Sequence, residues 1–294
     1  MNTDVSPVTR APLRISFAGG GTDVEPYRSD YGSHVLSAAI RMYAYAIKSG
    51  KAGQDNLEVL LERMSGARGI HISSDVHPGS GLGGSASALI AGLNLVFASI
   101  TKDHLVNLAW FTERHIMNIA GGNQDFYCAA HGGVQFISSE GVQVEVSKLT
   151  APDGLFDLLL LVHAGLRVKE GSNIIQEQVA NYNVKALHRQ KQLAREMRGA
   201  LHQANLLAFG ELLEEAWRCK KEMCQAVSTP SVDELHDRAL GLGALAAQLM
   251  GAGGGGYMLV MEHPSRRGEL REQLIKAGIP YHNVDVDLAG VVQL

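Results

Sequence analysis

Cysteine is scarce in this chain of 294 residues, no sign of charge dominates, and no apolar run is long enough to span a bilayer. The three cysteines, Cys128, Cys219 and Cys224, are odd in number and lack C-x-x-C spacing, so reduced thiols are expected and a disulfide framework or thiolate metal site is not. A formal net charge of −4, with both signs interspersed and no cluster of Lys and Arg, offers no long-range attraction for nucleic acid. Residues 1–10 (MNTDVSPVTR) show neither a basic stretch leading into an apolar core nor a small-residue cleavage site. A cytoplasmic protein working away from membranes is therefore expected. None of the 12 histidines falls into H-E-x-x-H or another ligand spacing, so His71, His77 and His131 are given no metal role. No repeat of fixed period is present.

With 46% hydrophobic and 19% charged residues, the chain can bury a large core, in one large or two modest domains. The apolar pattern changes character near residue 150. Before it, strands are predicted at Pro12–Ala18, His34–Lys48 and Gly69–Val76, where β-branched and aromatic residues are bounded by Gly, Ser or Asp. A helix should open at Gly84 or Ser85 and bury Leu89, Ile90, Leu93, Val96 and Phe97 on a sheet; a second carries Leu105, Leu108, Ala109, Thr112 and Ile116. Hairpin strands Gly132–Ser138 and Val142–Lys148 lead to a link through Ala151, Pro152, Asp153 and Gly154, which sets expected domains at 1–152 and 153–294. Beyond it come a strand at Phe156–Val162, a long helical stretch over Ser172–Gln225 broken near Gly210, and a helix after Pro230. Leu240–Met250 reads as helix, Tyr257–Glu262 as strand, Arg266–Lys276 as helix and Tyr281–Val286 as a short strand. This distribution predicts an α+β fold with helices covering one face of each sheet.

Glycine is concentrated in three short runs: Ala18-Gly-Gly-Gly-Thr-Asp23, Pro78-Gly-Ser-Gly-Leu-Gly-Gly-Ser85 and Gly251-Ala-Gly-Gly-Gly-Gly256. A glycine turn lets backbone N–H groups approach an anion, and a following helix N-terminus adds uncompensated donors. The middle run, between a strand and a helix, suits a polyphosphate; taken singly, each run also reads as a plain loop. A dinucleotide site fits poorly. Gly79, Gly81 and Gly84 match G-x-G-x-x-G with Asp103 at the ribose-acid offset, but residues 101–117 have a helical period where a second strand is required. At Gly251, Gly253 and Gly256 the flanking elements run in the wrong order. There is no Gly-Lys-Ser/Thr triplet of a Walker loop and no protein-kinase signature set.

Taken together and in order, the runs resemble the three motifs of the GHMP kinases, the superfamily of galactokinase, homoserine kinase and mevalonate kinase. Ala11-Pro-Leu-Arg14 through Asp23 resembles motif one, Pro78–Ser85 the phosphate loop Pro-x-x-x-Gly-Leu-x-Ser-Ser with its proline one position nearer, and Gly251–Gly256 motif three. Pro12–Asp23, Ala120-Gly-Gly-Asn-Gln-Asp125 and Phe209–Lys221 are most similar to the heptose 7-phosphate kinase branch. Gly84 departs from the usual serine and Phe126 from the usual glutamine. The segment between Lys48 and Gly69 is shorter than in relatives, which bears on the adenine pocket and on nucleotide choice.

The resemblance implies a two-domain architecture, an N-terminal part like ribosomal protein S5 domain 2 and a ferredoxin-like C-terminal part. It implies ATP and Mg2+ as cofactors and transfer of the terminal phosphoryl group to the anomeric hydroxyl of a sugar phosphate. Asp125 would be the catalytic carboxylate and Arg14 its basic partner. Pro78, Gly79, Ser80, Gly81, Leu82, Gly83, Gly84, Ser85, Gly253 and Gly254 would bind the nucleotide, with Ser85 and Glu113 as metal ligands. Gly20, Gly21, Thr22 and Asp23 would grip sugar hydroxyls, a carboxylate being able to accept two bonds from a vicinal diol. Arg167 and Lys169 are the expected contacts of the acceptor's own phosphate. Two alternatives stay open, a kinase for another small alcohol and a silent sugar and ATP sensor on the same fold. The oligomeric state, a homodimer included, is likewise open.

Overall fold

The computed structural model describes residues 7–49, 52–140, 143–167, 169, 171–180 and 183–294. Val142, the start of the signal reading at residues 1–6, residues 50–51 of the short segment and residues 181–182 of the long helical stretch lie outside them. The first half runs β1 (Val8–Ala18), α1 (Tyr27–Tyr31), β2 (Ser33–Lys48), α2 (Asn56–Ser65), β3 (Ile70–Ser74), α3 (Gly84–Val96), α4 (Lys102–Phe111), α5 (Gln124–His131), β4 (Val134–Glu140) and β5 (Gln143–Leu149). The second runs β6 (Leu159–His163), α6 (Gly171–Ala180), α7 (Val184–His202), α8 (Leu206–Lys221), α9 (Pro230–Gly241), β7 (Ala244–Leu249), β8 (Tyr257–Glu262), α10 (Glu269–Lys276), β9 (Tyr281–Asn283) and β10 (Val292–Gln293).

Two antiparallel sheets result. The first has the order β10-β1-β2-β4-β5, and its long β2 pairs with β4 over Ser33–Ala38 and with β3 over Ala44–Lys48. The second has the order β7-β8-β6-β9. Leu13, Ile15 and Phe17 of β1 enter one core with α7 and α8, while Ala11 joins α3, α4 and α5 in another. The first sheet is thus covered on both faces, not on one as the pattern suggested; β1 and β2 carry the near-continuous apolar runs that a doubly covered strand requires. In β6, Leu159 and Leu161 face α7 and α8, whereas Leu160 and Val162 join the core of α9 and α10, the two-residue alternation of a strand. Helices α7 and α8 therefore form a layer between the sheets.

Three expectations are corrected. Leu240–Met250 is not one helix: α9 ends at Gly241, Gly243 turns the chain at φ +102°, and β7 follows with a register shift between Ala244 and Ala246. Pairing with β8 overrides the helix preference of an alanine-rich segment. The long helical stretch breaks at Ala204 (φ +51°), after which Asn205 caps α8 through its side chain; Gly210 lies inside α8. Finally, Tyr281–Val286 divides between sheets, β9 pairing with β6 while Val286 bridges Ile40 and β10 closes on β1, so the last residues return to the first sheet. All three cysteines are unpaired and buried. No helix among the described residues is long and apolar enough to cross a membrane.

Gly210 of α8 packs on the side chain of Leu245 from β7. A Cβ there would meet Leu245 Cδ2 at 2.2 Å. Gly210→Val should lower the unfolding free energy by about 1–3 kcal/mol, read from urea melts, because the packed side chains of Leu245 and Met261 must move to admit it.

Candidate active site

The three glycine runs converge on one cavity of about 890 Å³ between the two halves of the chain. The middle run is locked to the third by backbone. The Tyr257 N–H donates to Ser80 O (2.9 Å), a Cβ on Gly256 would meet that carbonyl at 2.4 Å, and one on Gly81 would meet Met250 O at 2.5 Å. Any side chain at Gly81 or Gly256 would force these loops apart.

Helix α3 opens on the cavity without a side-chain cap. Gly83 is its N-cap in the left-handed region (φ +76°), and no acid occupies the first turn, so the leading N–H groups and the positive dipole end are left for an anion. Pro78, Gly79, Ser80, Gly81, Gly83, Gly84 and Ser85 all line the cavity. Leu82 does not: its side chain is fully buried in the core, and its carbonyl accepts from the Arg14 N–H (2.9 Å). Nothing lies within 4 Å of a Cβ on Gly84, so the departure from serine leaves space and strains nothing. Phe126, the other departure, is fully buried against α3 and α4.

Arg14 of β1 and Asp125 in the first turn of α5 form a two-pronged pair, Nε to Oδ1 at 2.6 Å and Nη2 to Oδ2 at 2.8 Å. The remaining nitrogen of Arg14, Nη1, donates to Gly81 O (2.6 Å), tying the pair to the middle loop. A Cβ on Gly83 would stand 3.4 Å from Asp125 Oδ2. A carboxylate so held can orient a hydroxyl and take its proton beside the mouth of α3.

Glu113 sits on a turn of π-helix that continues α4, the kind of bulge that re-aims a side chain. Its carboxyl lines the cavity, is bonded by Arg114 Nη1 (2.5 Å), and is held above the usual carboxylate range by burial, with Arg114 opposing the rise. Arg114 also donates to Ile119 O (2.6 Å) and Gly122 O (2.8 Å), bracing the loop that leads to Asp125. Ser85 is exposed to the same cavity, so a hydroxyl and a carboxylate oxygen, the hard donors Mg2+ takes, are both available there.

Several expected contacts fall elsewhere. Gly20 and Gly21 line the cavity, but Thr22 is buried with its hydroxyl on Gly19 O (2.7 Å). Asp23 is buried behind the wall, and its Oδ2 accepts the N–H groups of Asn123 and Gln124, the latter at 2.9 Å. It therefore seats the turn that presents Asp125. Gly253 and Gly254 are likewise displaced: they pack on Val227, whose carbonyl accepts from the Gly254 N–H (3.0 Å), and Gly251 and Ala252 line the cavity in their place. Lys169 is exposed at the rim in an ion pair with Glu177 (2.6 Å). Arg167 lies between the two phosphate-side runs, its Nη2 3.3 Å from a Cβ on Gly81 and 3.2 Å from one on Gly251. Lys220, on α8, also lines the cavity and was not singled out from the sequence.

The chain matches two family models. These are the GHMP kinase N-terminal domain over residues 40–133 and the GHMP kinase C-terminal domain over residues 197–279. The chain belongs to the GHMP kinase superfamily. A D-glycero-alpha-D-manno-heptose 7-phosphate kinase of Campylobacter jejuni is 28% identical, with 91% of this chain and 93% of that one covered. A Campylobacter jejuni structure described as a putative sugar kinase aligns at 25% identity and a TM-score of 0.75, covering 100% and 99%. A Bacteroides thetaiotaomicron structure described as a D-glycero-D-manno-heptose 1-phosphate kinase shares the fold at a TM-score of 0.76, 24% identity and 98% coverage of both chains. This GHMP kinase is thus an ATP-dependent small-molecule phosphotransferase with an alcohol group as acceptor.

Burial holds the Asp23 carboxyl of the kinase at about 6, against 3.8 for a free one, even though the Gln124 and Asn123 amides oppose the rise. A raised carboxyl disfavours its charged form in the folded state, so its contribution to stability improves as pH falls from about 6 towards 3.8. Asp23→Asn keeps an acceptor oxygen for both amides. It should gain on wild type as pH rises through that window, by up to about 3 kcal/mol, in urea unfolding at pH 4 and pH 8. A difference that does not change with pH would show that burial does not raise the Asp23 carboxyl.

Proposed function

We propose that this kinase transfers the terminal phosphoryl group of Mg2+-bound ATP to the anomeric hydroxyl of D-glycero-D-manno-heptose 7-phosphate, giving the 1,7-bisphosphate. The observation that carries the reading is the Arg14–Asp125 pair bonded to Gly81 O at the mouth of α3. Phosphoryl transfer asks a protein mainly for in-line positioning and charge neutralisation, and a helix mouth opposite a fixed carboxylate supplies both. The choice of a heptose phosphate is supported by the Campylobacter jejuni relative at 28% identity and by the segments 12–23, 120–125 and 209–221.

In this reading the acceptor hydroxyl lies against Asp125, which takes its proton as the oxygen bonds to phosphorus and the bond to the departing diphosphate breaks. Arg14 keeps that carboxylate charged and adds positive charge beside the transferred group. Ser85 and Glu113 hold the magnesium ion, whose charge supplies further neutralisation on the phosphates. Arg167, flanked by Gly81 and Gly251, faces the nucleotide phosphates and not the far end of the sugar. Gly20 and Gly21 leave the acceptor pocket open beside Asp125.

Phosphorus NMR of reactions containing ATP, Mg2+ and a panel of sugars and sugar phosphates tests the assignment. A new anomeric phosphate signal is expected with the heptose 7-phosphate. Asp125→Asn should lower kcat by about 10²–10⁴ while nucleotide binding persists. Turnover of an unphosphorylated hexose alone would move the chain to another acceptor, and no turnover of anything would favour the sensor. Glu113→Gln should raise the Mg2+ concentration for half-maximal rate by about tenfold or more, with Asp125 chemistry otherwise intact.

A further inference from the structure

Lys220 is out of place for an amphipathic helix. Phe209, Leu213, Ala216 and Trp217 form the buried stripe of α8, and Lys220 continues that stripe where a surface helix would turn a lysine to solvent. Its Nζ donates to Leu249 O (2.7 Å) and Gly251 O (2.6 Å), the carbonyls that lead into the third glycine run. The surface it keeps faces the cavity. An ammonium has three donors, so one is left to point there.

Arg167 stands opposite. Its Nε and Nη2 are buried and have no hydrogen-bond partner among the described residues, although the guanidinium lies between Gly81 and Gly251. Leaving buried charged donors unmatched is costly, and placing a second and a third cation beside them costs more. The Asp125 carboxylate is already engaged by Arg14. Such a cluster makes physical sense around an anion that arrives with its own charge.

We propose that Lys220 and Arg167 form the subsite that receives the terminal phosphoryl group of the nucleotide, with Lys220 as a catalytic residue that touches that group. The inference rests on the kinase reading and deepens it. The terminal phosphoryl is the anion that fits, because Lys220 holds the third glycine run and Arg167 lies against the second, while Arg14 joins the second run to Asp125. The acceptor's own phosphate, at the other end of a sugar whose anomeric hydroxyl meets Asp125, would have to lie away from these loops.

The electrostatics give the proposal a signature. Burial, then the fields of Arg14 from β1 and Arg167 from the segment after β6, push Lys220 down from 10.5 to about 7. From the end of β7 it meets the Leu249 carbonyl and from the turn after it that of Gly251; on its own helix lie the Trp217 ring and Lys221, which is turned to Asp233 (3.1 Å). Lys220 therefore loses its charge as pH rises through about 7 in the free protein, and an anion bound above that pH must bring a proton with it.

Equilibrium titrations with Mg2+ and either ADP or the β,γ-imido analogue of ATP, on wild type, Lys220→Met and Lys220→Arg at pH 6.5 and 8.5, test this without any acceptor. Lys220→Met should weaken the ATP analogue by about tenfold or more relative to ADP, and Lys220→Arg should restore it. Wild type should bind the analogue less tightly at pH 8.5 than at 6.5, and Lys220→Arg should lose that dependence. Equal losses for both nucleotides, or a pH response unchanged in Lys220→Arg, would overturn the proposal and leave Lys220 a tether of the third run. Should Lys220→Met fail to fold, the pH response of Lys220→Arg decides alone. Wild type that binds neither nucleotide would instead sink the kinase reading itself.

Discussion

The guanidinium of Arg14 is the joint on which the site depends. One planar group reaches Asp125 with two nitrogens and Gly81 O with the third, so β1, the first turn of α5 and the middle glycine loop share a single rigid centre. The planar fork is what makes this possible; a lysine could supply the charge but not three fixed directions. The Arg14 backbone repeats the connection, its N–H donating to Leu82 O (2.9 Å). Strand, loop and carboxylate therefore move as one body, and that gives meaning to the placement of Asp125 beside the mouth of α3.

That joint needs support from behind, and the fold provides it in layers. Asp23 seats the turn before Asp125, Ser16 bonds the Gln124 side chain (2.9 Å), and Gln248 of β7 donates to Ser16 O (2.9 Å) across the boundary between the sheets. With α7 and α8 packed between the sheets, the β1 end of the cavity and its third glycine run are held by one continuous core. The return of the chain end to β1 closes the same unit from its outer edge.

Much of this was legible in the residues, and the failures have physical causes. Strands β1 to β3 and helix α3 follow from periodicity and the strand–turn–helix context, and the grouping of the glycine runs from the family resemblance. The covering of both faces of the first sheet was missed because α7 and α8 are distant in sequence, and local pattern does not say which face a later helix will take. Leu240–Met250 failed for a related reason: an alanine-rich segment carries helix propensity, and only its partner β8 makes it a strand. Family resemblance pointed to Arg14, Ser85, Glu113 and Asp125, which share one cavity, while Thr22, Asp23, Leu82, Gly253 and Gly254 lie off its lining, because adjacency in a motif does not tell which side chain faces inward. Lys220 had a readable sign, a lysine continuing the stripe of Phe209, Leu213 and Ala216.

The ionisable groups around the cavity share a tendency that ties structure to chemistry. Burial raises the carboxyls of Glu113 and Asp23 and lowers the ammonium of Lys220, so charge of either sign is discouraged while the cavity holds only water and protein. In the proposed complex each penalty is offset by a different part of the ligand: Glu113 by a divalent cation, Lys220 and Arg167 by phosphate oxygens. Asp23 lies outside that exchange, because its carboxyl is spent on backbone amides. A site organised in this way binds its charged ligands by neutralising groups that the fold alone leaves poorly compensated. The same groups, once neutralised, are already where charge redistributes during transfer, so the ligand's charge completes the electrostatic arrangement with no further movement of the protein.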